Sequence, residues 1–219
     1  MKKIILFFLL ITALTGCGLN QNTSSNNGNG NKTESNAISS ATATGSSTSG
    51  AENSKAVKKD DHLITAKQAL SAGEYTKAIE EATVSIKDNA NNAEAYSVRG
   101  FATALNGDVA KGLTDTKKAY DLDSNNVANY YNMAMVYKLQ GQLDDSKQWF
   151  EKVLEKDPSN TWSVYGIATI YADQGDDTKA LDWLEKAIKI DPSVKAVAAE
   201  QDHFERFHNN GRFKTLVGL

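Results

Sequence analysis

The pattern of apolar and polar positions divides the chain into three stretches. Ile4 to Leu14 is an apolar run behind Lys2 and Lys3. From Gly18 to about Lys58 the chain is almost entirely Ser, Thr, Asn, Gly, Ala and Gln, without an apolar period. Beyond that, apolar residues recur at helical spacing in segments such as VANYYNMAMVYKLQ and DTKALDWLEKAIKID, which predict amphipathic helices.

These helices repeat. Gly73, Gly107, Gly141 and Gly175 lie 34 residues apart, each opening a turn and a helix start: GEYTKAIE, GDVAKGLT, GQLDDSKQ and GDDTKALD. A fixed period of this length predicts stacked copies of one supersecondary unit. Four units result, at 59–92, 93–126, 127–160 and 161–194. In each, a first helix ends just before the glycine, the residue that tolerates a left-handed C′ position. A second helix starts after a polar or acidic cap and stops at DNANN, DLDSNN, DPSN or DPSV. Pro158 and Pro192 enforce the last two stops, because proline cannot continue a helix.

Small residues recur where paired helices must approach closely. They are Ala66, Gly100, Ala134 and Ala168 in the first helices and Ala78, Gly112, Ser146 and Ala180 in the second. Larger side chains, Tyr96, Tyr130, Tyr137, Tyr171, Phe150 and Leu184, fill the space between hairpins. This arrangement of small and large positions resembles the tetratricopeptide repeat over residues 59–194. The fourth unit fits best, with Ile167, Ala168, Tyr171, Gly175, Ala180, Leu184, Ala187 and Pro192 in register. The first is degenerate at His62, Ala69 and Ala90, as terminal repeats that cap an array are. The resemblance implies an all-α fold: a right-handed superhelix of four helix-turn-helix repeats, closed by a C-terminal helical cap over 195–219. In that cap Phe204, Phe207, Phe213 and Leu216 would cover the fourth hairpin.

The resemblance also implies a function, since this family binds peptides in a concave groove lined by the first helices. Register carries the groove positions to Lys67, to Ser97, Phe101 and Leu105, to Tyr131, Asn132, Met135 and Lys138, and to Trp162, Tyr165 and Thr169. The expected peptide-contacting set is Lys67, Phe101, Tyr131, Asn132, Met135, Lys138, Trp162 and Tyr165. Of the carboxylate-clamp positions used by chaperone-binding members, only Asn132 matches. The expected occupant is therefore an extended or helical protein segment seated on aromatic and methionine anchors.

The N-terminus reads as an address. Its apolar run is too short to span a bilayer and has the length of a secretory signal. Leu14-Thr15-Gly16-Cys17 resembles the bacterial lipobox, which makes residues 1–16 a lipoprotein signal peptide and Cys17 the lipidated residue. Two or more acyl chains on that cysteine give stable anchoring. Residues 17–58 form the attachment point and a disordered tether, which spans roughly 35 Å. Gly18 stands where the family's inner-membrane retention signal would place aspartate. The expected location is the extracytoplasmic face of the cell membrane, or the outer membrane if the organism has two.

Charge and chemistry narrow the picture. With 24 Lys and Arg against 27 Asp and Glu, the net charge of −3 leaves no footprint for nucleic acid. A single cysteine excludes an internal disulfide framework. His62, His203 and His208 lack nucleophile or metal partners in the sequence, so surface roles are expected. Asp121, Asp123 and Asn125 begin like a calcium loop, but Asn126 and Asn132 replace its glycine and closing glutamate, so the segment reads as a turn. The pairs Asp60-Asp61, Asp144-Asp145 and Asp176-Asp177 sit at helix starts, where negative charge favours the dipole. Trp149 and Trp183, one repeat apart, read as packing between hairpins. No catalytic residue, metal ligand or cofactor is expected, and no small-molecule substrate. The chain reads as a non-enzymatic, monomeric adaptor for an envelope protein; the alternative is a self-associating structural lipoprotein.

Overall fold

The structure is a computed structural model that describes residues 60–219; the expected signal peptide, Cys17 and the tether lie outside the described residues. Four antiparallel helix pairs follow one another: α1 (Asp61–Ser71) with α2 (Tyr75–Asp88), α3 (Ala93–Leu105) with α4 (Val109–Leu122), α5 (Val127–Leu139) with α6 (Leu143–Lys156), and α7 (Thr161–Gln174) with α8 (Asp177–Ile190). A short helix α9 (Val194–Glu200), a 3-10 turn (Asp202–Phe207) and α10 (Gly211–Val217) close the chain.

The 34-residue period is written into the ends of the helices. Gly73, Gly107, Gly141 and Gly175 all have positive φ, between 76° and 105°. At each, the glycine N–H bonds the carbonyl three residues back and the next residue bonds the one five back, as in Gly107 to Ala104 and Asp108 to Thr103. These are Schellman closures, which satisfy carbonyls the helix leaves open.

The turns between repeats share a second device. Asn89, Asp123, Asp157 and Asp191 are extended C-caps, and the side chain of each accepts a bond from the backbone N–H two residues on, at 2.9–3.2 Å. Three residues after the first three of these stand Asn92, Asn126 and Asn160, whose side chains cap α3, α5 and α7. The helices stop at DNANN and DLDSNN without proline because this side-chain turn redirects the backbone. The Asp121 to Asn125 segment is one of these turns: Asp123 Oδ1 accepts from the Asn125 N–H, and Asn129 donates to the Asp123 carbonyl.

Close approach within hairpins falls where small residues were expected. Ala66, Ala78, Ala134, Ser146, Ala168 and Ala180 are 0% exposed. The tightest contact is between α3 and α4: a Cβ added at Gly100 would lie 2.8 Å from the Gly112 carbonyl oxygen, and one at Gly112 would lie 2.5 Å from that of Gly100. Between the same helices, Arg99 forms a two-pronged ion pair with Asp115, at 2.7 and 2.9 Å. Trp149 packs edge-on against Tyr120 at 5.0 Å and against Tyr130, between hairpins.

The two ends of the array differ in chemistry. The outer positions of α1 are polar: His62 is exposed and pairs with Glu81 at 2.7 Å, and Gln68 is exposed. At the other end Phe204, Phe207 and Phe213 are 0–1% exposed and pack on one another, while Leu216 is half-buried. Among the described residues no helix is long and apolar enough to cross a membrane.

Candidate functional site: the face of the first helices

The expected groove positions lie on α1, α3, α5 and α7, and polar side chains on this face bond from one helix to the next. Lys67 of α1 donates to Glu94 of α3 at 2.5 Å. Asn132 of α5 donates to the Ser97 hydroxyl of α3 at 2.8 Å. Lys138 of α5 reaches the Thr169 hydroxyl of α7. Such bonds fix the face and reduce the freedom of the long lysine side chains before anything binds.

The eight expected contact residues do not all remain available. Lys67, Tyr131, Met135, Lys138 and Trp162 are half-buried and present part of their surface. Phe101 is 0% exposed and belongs to the core beneath α3, so it supports the face rather than contacting an occupant. Asn132, 5% exposed, is turned toward Ser97. Tyr165 is 6% exposed because Phe204 packs on it at 5.9 Å and Trp162 meets it edge-on at 6.0 Å; its hydroxyl has no hydrogen-bond partner. Thr169 is buried as well. The partly open positions are thus Lys67 on α1, Tyr131, Met135 and Lys138 on α5 and Trp162 at the start of α7, with Tyr131 packed edge-on against Phe150 at 5.6 Å.

A second departure concerns His203. It is half-buried and bridges two helices: Nδ1 lies 2.6 Å from Asp173 Oδ1 on α7, and Nε2 lies 3.3 Å from Lys138 Nζ on α5. The sequence holds the signal for this in the repeat itself. Lys67, Phe101, Met135, Thr169 and His203 form one series at 34-residue spacing, so the 3-10 turn continues the face as a fifth, half-formed repeat. Phe204 likewise continues the buried series Ala102, Val136 and Ile170. Arg206 completes the docking by donating to the Ala172 carbonyl at 2.8 Å and pairing with Asp177.

Burial lowers the Lys138 ammonium to about 8, with Asp173 acting in the opposite direction. Burial raises the phenols of Tyr131 and Tyr165. Among the described residues, no group of three or more His, Cys, Asp or Glu side chains is placed to hold a metal ion.

Comparison with known proteins agrees with this architecture. Residues 126–193 match the tetratricopeptide repeat family model, and residues 1–17 match the model of a prokaryotic membrane lipoprotein lipid attachment site. No curated protein sequence matches the chain. Among solved structures, a thermophilic TPR protein from Thermus thermophilus is similar, with TM-score 0.58 and 17% identity over 65% of this chain and 80% of that one. MamA from Desulfovibrio magneticus RS-1 superimposes with TM-score 0.55 and 20% identity over 72% of this chain and 88% of its own. YrrB, described as a TPR protein with an unusual peptide-binding site, gives TM-score 0.51 and 15% identity over 71% of this chain and 80% of its own. At these identities the likeness is one of fold. Residues 126–193 thus carry the tetratricopeptide repeat and residues 1–17 a prokaryotic lipoprotein lipid attachment site, on an all-helical fold shared with TPR proteins.

Proposed function

We propose that this lipoprotein is an extracytoplasmic adaptor that holds a segment of another envelope protein on the face of the first helices, at the partly open positions of α1 and α5. It would thereby aid assembly of an envelope complex. The division that goes with this reading is a signal peptide at 1–16, the lipid attachment and tether at 17–58, the repeats at 59–194 and the cap at 195–219. The observation that carries it is the half-exposed set Tyr131, Met135 and Lys67 on a face already fixed by helix-to-helix bonds. Rigid aromatic and methionine anchors beside a few polar groups are what a segment-binding surface needs. The peptide-binding site named for YrrB supports the reading by analogy of fold.

A photocrosslinking residue placed at Met135 or Lys67 in the anchored protein, in its own membrane, tests this. Adducts from these positions and none from Lys118 on the opposite helices are the expected result. Adducts from Lys118 alone would move binding to the other face. Self-association is disfavoured by the molecule's ends, since α1 presents polar side chains and the tail buries its three phenylalanines.

A further inference from the structure

The half-formed fifth repeat is docked by a trio that has two basic groups for one carboxylate. Lys138 comes from α5, Asp173 from α7 and His203 from the 3-10 turn. With its Nδ1–H donated to Asp173, a neutral His203 has one lone pair left, on Nε2, and this faces the Lys138 ammonium, a donor. Every position in that chain is then satisfied. A second proton on His203 turns Nε2 into a donor facing another donor at 3.3 Å, and places two cations beside one carboxylate on a half-buried surface. One carboxylate cannot neutralise both cations, and the repulsion between them weakens the dock.

We propose that this trio is a proton-released latch: acidification undocks the 3-10 turn (Asp202–Phe207) from α7 and uncovers Tyr165 of the fourth repeat. Other charged groups near the turn are already engaged elsewhere. Arg206 pairs with Asp177 and Arg212 with Asp182 and Glu185, while Asp202 and Glu205 are exposed. Release would expose Tyr165, which Phe204 covers in the docked form. The 3-10 turn suits this role, because its hydrogen-bond geometry is poorer than that of the helices it adjoins.

Amide hydrogen exchange on the full-length protein in detergent tests the latch without any binding partner, so a face that binds nothing leaves the result intact. The pH is lowered from about 7, where Lys138 is an ammonium, to about 5.5, and rates are corrected for the intrinsic pH dependence of exchange. Amides of 202–208 are expected to speed up about tenfold relative to those of α2 to α4, the scale of one lost hydrogen bond to a charged group. His203→Gln, which cannot take the second proton, should abolish the acceleration. Lys138→Met, which removes the opposing cation, should do the same with the tail still protected. Uniform acceleration in all helices, none in the tail, or an unchanged acceleration in both variants would overturn the proposal.

Discussion

At Gly100 and Gly112 the smallest side chains in the protein set the distance between two helices. A methyl group at Gly100 would meet the Gly112 carbonyl oxygen and the Thr116 nitrogen, both at 2.8 Å, and backbone atoms cannot rotate away as a side-chain tip can. Gly100→Ala should therefore cost about 1–3 kcal/mol through overpacking, even though alanine favours helix over glycine. A lower urea midpoint with an unchanged slope is the expected measurement. Lys138 makes a second prediction at this scale. Its native value of about 8 lies below the ordinary 10.5, so between those limits the unfolded chain binds the extra proton and stability rises with pH. Tyr131 and Tyr165 act oppositely above their ordinary 10.0, since the folded protein retains phenolic protons that the unfolded chain loses. The denaturant midpoint should thus climb from about pH 8, peak near pH 10 and fall beyond it, and Lys138→Met should flatten the climb.

Along the elements, the caps carry most of what was readable in advance. The positive φ of the four glycines and the acidic first turns of α1, α6 and α8 agree with the pattern of residues, because these are local matters of one or two turns. The turn between repeats was only half legible. Pro158 and Pro192 marked two of the stops, whereas the common cause is the Asn or Asp at the C-cap and the Asn three residues later. Asn160 accepts the Ser163 N–H, but Gln142, at the start of α6, caps with no side-chain bond. Asn160→Ala should therefore cost about 1 kcal/mol and expose the first amides of α7 to exchange, while Gln142→Ala should leave stability nearly unchanged. Equal effects of the two would remove the caps from the account.

For the molecule as a whole, a stack of repeats is soluble only if its ends are closed. In the first copy His62 pairs with Glu81 at the position that Tyr96 and Tyr130 hold in the next two. The tail closes the other end with Phe204, Phe207 and Phe213. Among the described residues the large apolar side chains left exposed are Val84, Ile190 and Leu219. The protein freed of its anchor should sediment as a monomer whose coefficient does not change over a tenfold range of concentration; a concentration-dependent increase would favour the self-associating alternative.

The sequence by itself determined the repeat, its 34-residue period, the small and large positions and the lipid attachment site, because each depends on residues close together or on a strict spacing. Tertiary structure alone decided which groove positions stay open. Phe101 and Tyr165 carry the right register yet are buried, one by the core under α3 and the other by Phe204 some forty residues on. Register specifies the direction of a side chain on its own helix. Whether anything covers that side chain depends on how a distant segment folds back, and no local period records it. The same reasoning explains His203: its place in the 34-residue series was present in the sequence, but its contacts with Lys138 and Asp173 exist only once the tail has docked.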